Sequence, residues 1–161
     1  YEPDQRDTAL EILAFARENN CNIILPSDKG VAPEFAPNAP RTDKTFDEIT
    51  DSDVILDEGA QTIASAISVI EKSETVIWNG SVGMAEWQPT WSVGTFALAR
   101  AIAEQTRNGK ITSVIGGGDT VAALTACGVK DDMTYVSTGG GAFLEFIEGR
   151  TLPGIAILEQ K

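Results

Sequence analysis

The chain has 161 residues, 42% of them hydrophobic, with 24 acidic against 12 basic side chains and a net charge of −12. That size suits one domain with a sizeable core, and an acidic balance without any block of like charge excludes a phosphate-backbone partner such as DNA or RNA. Histidine is absent, which removes serine–histidine and cysteine–histidine catalysis and imidazole zinc sites, so any chemistry must rest on carboxylates, backbone amides and a few Lys or Arg.

In chain order, Asp7 is placed to cap a helix over TALEILAFARENN, whose Ala9, Ile12, Leu13 and Ala16 share one face. The apolar run NIILP, residues 22–26, reads as a first strand. Residues 27–52 hold Pro33, Pro37 and Pro40, with Pro26 at their edge, and read for the most part as an ordered excursion loop whose length points to function or to a partner surface. Ile63, Ile67 and Ile70 mark a helix ending near Lys72, and TVIW (75–78) is a second strand. Residues 92–108 carry Phe96, Ala99, Ile102 and Ala103 on one face and stop at Gly109. ITSVI is a third strand, TVAALTAC a helix ended by Gly128, MTYVS a fourth strand and GAFLEFIE a helix ended by Gly149. Helices alternating with short, continuously apolar strands imply a parallel sheet covered by helices.

No run approaches the about 18–20 apolar residues of a membrane span. The opening YEPDQRDTA also lacks the basic and apolar regions of a signal peptide, so a cytoplasmic protein is expected. Cys21 and Cys127 stand 106 positions apart with no CxxC and read as reduced, buried thiols. The start at Tyr1, running at once into a helical pattern, suggests a cut inside a longer protein.

Three strands end in glycine-bearing turns: WNGSVG, GGGDT and STGGG. In open parallel sheets ligands bind outside the carboxyl ends of the strands, so the three turns should gather at one rim. A turn without side chains lets backbone approach a ligand closely, and the following helix offers unpaired N–H groups with a positive dipole end, which suits phosphate. Each turn also has a plain structural use, since glycine serves any tight turn of positive φ; three together favour a site. Asp119 reads as an N-cap that could ligate a metal through its other oxygen. Glu86 is either a solvated acid or an acceptor for a ribose hydroxyl. Trp78, Trp87 and Trp91 read as core or rim packing, and Asn79-Gly80-Ser81 as a chance match to a glycosylation acceptor. GxxxxGK[ST] is absent, and GGGDTV and GGGAFL lack the third glycine of GxGxxG.

Taken together, WNGSVGMAEW, SVIGGGDTVAAL, YVSTGGGAFLEFIEG and LPGIAIL, with ILPSDKGVAPEF and ILDEGAQT before them, resemble the phosphoglycerate kinase family in order and spacing, from about Ile23 to Leu158. The resemblance implies an α/β fold, a doubly wound, Rossmann-like, three-layer parallel sheet, present here as the incomplete C-terminal domain of a two-lobed kinase. Residues 1–150 would be the partial nucleotide-binding domain, and 151–161 a tail returning toward the absent N-terminal domain. It implies reversible phosphoryl transfer between 1,3-bisphosphoglycerate and ADP, giving ATP and 3-phosphoglycerate, with Mg2+ on the nucleotide and a monomeric full-length enzyme. By the same resemblance Asp119 would coordinate magnesium, while Gly117, Gly118 and Thr120 would donate to the phosphates. Gly139, Gly140 and Gly141 would join Gly117 around the phosphoryl group in flight. Asn79, Gly80, Val82 and Met84 would line the nucleotide groove, with Glu86 on the ribose.

Ser81 stands where the family usually has proline, Ala85 where it has phenylalanine, Ala60 where it has proline and Ile55 where it often has glycine; the phosphate-side motifs are intact. The N-terminal domain that holds the phosphoglycerate and the early lysines of the nucleotide domain have no counterpart in the sequence, so the polypeptide alone is expected not to turn over. A non-catalytic nucleotide- or anion-binding module of the same fold is the alternative. A purely structural domain is less consistent with Asp119 and Thr120 together.

Overall fold

The computed structural model describes residues 3–137 and 139–159; Tyr1, Thr138 of the STGGG turn and the last two residues of the tail lie outside them. Helix α1 (Arg6–Glu18) leads by an extended segment to an antiparallel sheet of β1 (Asp28–Ala32), β2 (Thr42–Thr45) and β3 (Val54–Glu58), in the order β2-β1-β3. Helix α2 (Ala60–Ile70) then feeds a parallel sheet of β4 (Thr75–Asn79), β5 (Thr112–Gly116) and β6 (Tyr135–Val136), ordered as in the chain, with α3 (Val93–Arg107) and α4 (Gly118–Cys127) as crossovers. Helices α5 (Gly140–Ile147) and α6 (Pro153–Glu159) close the chain.

The parallel half follows the apolar pattern. Ile115 on β5, Leu124 on α4 and Ala99, Ile102 and Ala103 on α3 form one cluster with Ile111, Val129 and Met133. Fully burying a side chain the size of Leu or Ile stabilises by about 1.5–3 kcal/mol, so this cluster dominates the half. Gly128 ends α4 in the left-handed region at φ 75°, as its place after TVAALTAC predicts.

Several expectations are corrected. Residues 22–26 form no strand; Ile23, Ile24 and Leu25 are exposed, because an apolar run becomes a strand only with a neighbour to take its N–H and C=O groups. Residues 27–52 are not a loop throughout, since they contain β1 and β2, and Val54–Glu58 adds a third strand. Their sequences, DKGVA, TDKT and VILDE, show no apolar alternation because charged side chains do the pinning. Lys29 Nζ meets Glu58 Oε1 at 2.6 Å, and Lys44 meets Asp53 at 2.8 Å. The Lys44 bond and the Thr50 amide bring Asp53 down to a pKa of about 2. The fourth strand shrinks to Tyr135–Val136. Gln5, not Asp7, occupies the cap position of α1. Cys21 is exposed and Cys127 only half-buried, both free thiols.

Helix α2 is capped from a distance. Asp28, buried on β1, accepts from Gln61 N–H at 2.9 Å and Thr62 N–H at 2.8 Å, and from the Thr62 hydroxyl at 2.6 Å. Burial alone would raise its pKa; the Thr62 hydroxyl and these two amides outweigh that and hold it below the usual carboxylate value. The same carboxyl leaves Gly59, at the cap position, no room for a Cβ.

Candidate functional site

The ends of β4 and β5 and the start of α5 converge. Gly117, between β5 and α4, has φ 91°, and a Cβ there would stand 2.6 Å from Asn79 Oδ1. A Cβ on Gly140 would stand 2.8 Å from Gly117 Cα. Only bare backbone allows this approach. Asn79 Nδ2 donates to Gly140 C=O at 3.4 Å, Gly80 N–H to Thr120 Oγ1 at 2.8 Å, and Trp78 Nε1 to Gly80 C=O at 2.7 Å. The turn after β4 is thereby tied to both helices.

Both helices begin with amides that find no helical acceptor among the described residues. Within α4 the first backbone bond runs from Val121 N–H to Gly117 C=O, and within α5 from Phe143 N–H to Gly139 C=O. The amides of 118–120 and 140–142 therefore lack helical acceptors, and two positive dipole ends meet beside Gly117 and Gly140. That is an arrangement for an anion.

Alongside runs a groove of about 610 Å3 between segment 81–88 and α4, lined by Met84, Glu86 and Asp119 together with Ser81, Gly83, Ala85, Gln88, Ala122, Ala123 and Ala126. Asp119 lies inside the first turn of α4, not at its cap position, which belongs to Gly117. Its carboxylate is exposed and makes no hydrogen bond or ion pair among the described residues. No cluster of three or more His, Cys, Asp or Glu suited to a metal occurs among the described residues. A lone free carboxylate fits magnesium, which takes one or two protein carboxylates and completes its shell with phosphate oxygens and water.

The structure sorts the expected residues into four places. Met84, Glu86 and Asp119 line the groove. Asn79, Gly80, Gly117, Gly140 and Thr120 form the packed junction, Thr120 with no exposed surface and its hydroxyl oxygen under the Gly80 amide. Gly118, Gly139 and Gly141 are exposed at the two helix starts. Val82 turns toward α3, its N–H donating to Thr95 Oγ1 at 3.2 Å. Of the four unusual positions, Ser81 and Ala85 line the groove, whereas Ile55 is exposed on β3 and Ala60 opens α2. Ala122 and Ala126 escaped the sequence reading because their spacing of four looks like ordinary core-facing periodicity. The Arg41–Asp57 ion pair gave no signal.

The family model of phosphoglycerate kinase matches residues 1–150. The chain belongs to the phosphoglycerate kinase family. A phosphoglycerate kinase of Methylorubrum populi is 49% identical over 160 residues, 99% of this chain and 40% of the relative. One of Ruegeria pomeroyi is 50% identical over 155 residues, 96% of this chain and 39% of the relative. The solved phosphoglycerate kinase of Coxiella burnetii superposes with a TM-score of 0.89 at 42% identity, covering 99% of this chain and 40% of that one. The Pyrococcus horikoshii enzyme gives 0.80 at 28% identity, over 97% of this chain and 36% of that one. The chain thus spans about 40% of the length of the phosphoglycerate kinases it matches. No helix among the described residues is long and apolar enough to cross a membrane.

Proposed function

We propose that this chain provides the nucleotide-binding side of a cytoplasmic phosphoglycerate kinase that transfers a phosphoryl group reversibly between 1,3-bisphosphoglycerate and ADP in glycolysis. The observation that carries the reading is the meeting of two helix N-termini at Gly117 and Gly140, with the unpaired Asp119 carboxylate beside them at the groove. In this reading Asp119 holds the nucleotide's Mg2+, which when bound neutralises phosphate oxygens. Amides at 117–118 receive the nucleotide phosphates, and those at 139–141 the group in transit. Thr120 serves by fixing the Gly80 turn from beneath. Met84 and Glu86 flank the nucleoside, Glu86 accepting from the ribose. Transfer of this kind needs positioning and neutralisation of charge, with no covalent enzyme intermediate.

The phosphoglycerate would belong to a second lobe outside this sequence, toward which the tail that holds α6 would return. Closure of the two lobes would expel water. This chain alone would bind MgADP weakly and not turn over, and the full-length enzyme would act as a monomer. A second reading, a non-catalytic nucleotide module, draws on Ser81 and Ala85 both lining the groove.

Calorimetric titration of MgADP against the protein and its Asp119→Ala variant tests the site. The expected result is at least a tenfold loss of affinity together with loss of magnesium dependence; equal, equally magnesium-dependent binding contradicts it. A coupled ATP-forming assay on the intact protein that carries this chain separates the two readings, turnover supporting the kinase and nucleotide binding without turnover the module.

A further inference from the structure

Segment 81–88, the wall of the groove opposite α4, contains no helix or strand, and the carboxylate that holds it does not line the groove. Asp57, near the end of β3, has a fully buried side chain. Its Oδ2 accepts from Arg41 Nη1 at 2.7 Å and from Gly94 N–H at 3.0 Å, and its Oδ1 from Glu58 N–H at 2.8 Å. Gly83 of the wall and Gly94 of α3 abut this carboxyl so closely that neither leaves room for a Cβ. One residue earlier, Leu56 C=O accepts from Met84 N–H at 2.9 Å. Arg41 reaches the other end of the wall. Its Nη1 also donates to Thr90 C=O at 3.2 Å, its Nη2 to Glu58 C=O at 2.7 Å and its Nε to Asp43 Oδ1 at 2.9 Å, and its guanidinium lies 5.7 Å from the Trp91 ring centroid.

We infer that Asp57 and Arg41 are positioning residues of the groove: their ion pair fixes segment 81–90 against β3 and α3, and so sets nucleotide affinity without touching the nucleotide. A buried carboxylate with three donors has one satisfied arrangement, and any departure strands a charge away from water. The planar five-donor fork of arginine serves Asp57, Asp43 and two carbonyls at once, which lysine cannot reproduce.

The nucleotide part of this inference rests on the functional reading above, so the test has two arms, both on the intact protein that carries this chain. Amide hydrogen exchange without nucleotide is measured for Arg41→Lys and Asp57→Asn. Exchange at the Met84 and Gly94 amides is expected to quicken at least tenfold, with the Leu124 amide unchanged; unaltered exchange at Met84 and Gly94 overturns the clamp whatever the groove binds. Steady-state kinetics are then expected to show the KM for MgADP raised at least fivefold, with kcat and the phosphoglycerate KM within twofold of the parent. Faster exchange with an unchanged MgADP KM overturns the link to nucleotide. Should Asp57→Asn not fold, Arg41→Lys, which keeps the charge, decides both arms. A parent protein that binds no MgADP refutes the functional reading instead, while the exchange arm still decides the clamp.

Discussion

In the β4–β5–β6 half, Ile115, Leu124 and Ala99 pack side chain against side chain and the strand ends are stripped to glycine, whereas in the β1–β3 half the most enclosed groups include Asp28 and Asp57, each satisfied by several donors. One half uses apolar volume for stability and bare backbone for its surface chemistry. The other joins a smaller apolar cluster of Ala32, Ala39, Leu56 and Trp91 to buried charge, and through Gly83 and Met84 it lends its shape to the groove. The two halves thus share the groove: the apolar half presents the two helix starts, and the charged half aims the wall beside them.

The sharpest way to break this contrast is to unpair the buried charge. Arg41→Met strands Asp57 in the interior and is expected to cost about 3–5 kcal/mol in denaturant unfolding; a cost below about 1 kcal/mol would mean that the pair is ornamental. On the apolar side, Ile115→Ala, at a fully buried position, is expected to cost about 2–5 kcal/mol by transfer and cavity terms, with the exchange rates of the β1–β3 amides unmoved. Gly117→Ala sharpens the distinction. A non-glycine residue at φ 91° against Asn79 is strained by about 1–3 kcal/mol, yet its larger effect should be on MgADP, with at least a tenfold loss of affinity in the same titration.

The smallest effect is one of pH. Asp53, held near 2 by Lys44 and the Thr50 amide, titrates below its unfolded value, so its contribution is complete above about pH 4 and fades as pH falls toward 2. Stability of Asp53→Asn should accordingly lose part of the parent's slope in that window, as urea midpoints at stepped pH would show. An identical slope would remove Asp53 from the account.

How much of this was legible follows the same division. The parallel half is readable because its strands TVIW and ITSVI are continuous apolar runs and its turns are marked by glycine; the pattern brings the GGGDT and STGGG turns to one rim, and Gly117 and Gly140 do meet. Most of residues 27–52 reads as a loop, because DKGVA and TDKT carry no apolar alternation and their partners, such as Glu58 for Lys29, are distant in sequence. Residues 22–26 show the opposite case. Their apolar run is sufficient for a strand by pattern, but strand formation is a property of pairs, and the run pairs with none of the described strands. Asp119 reads as a cap yet lies two positions past it, because Gly117 takes the cap position with a backbone geometry that composition alone does not reveal. Being inside the helix leaves its carboxylate unspent.

Amide chemical-shift mapping of MgADP on the isotopically labelled protein tests the central claim, that phosphate is received by the bare backbone where α4 and α5 begin. The account predicts that the largest perturbations fall on 117–120 and 139–141, with smaller ones on 84–86 and almost none on β1 and β2. Perturbations centred on β1 and β2, with the two helix starts silent, would contradict it.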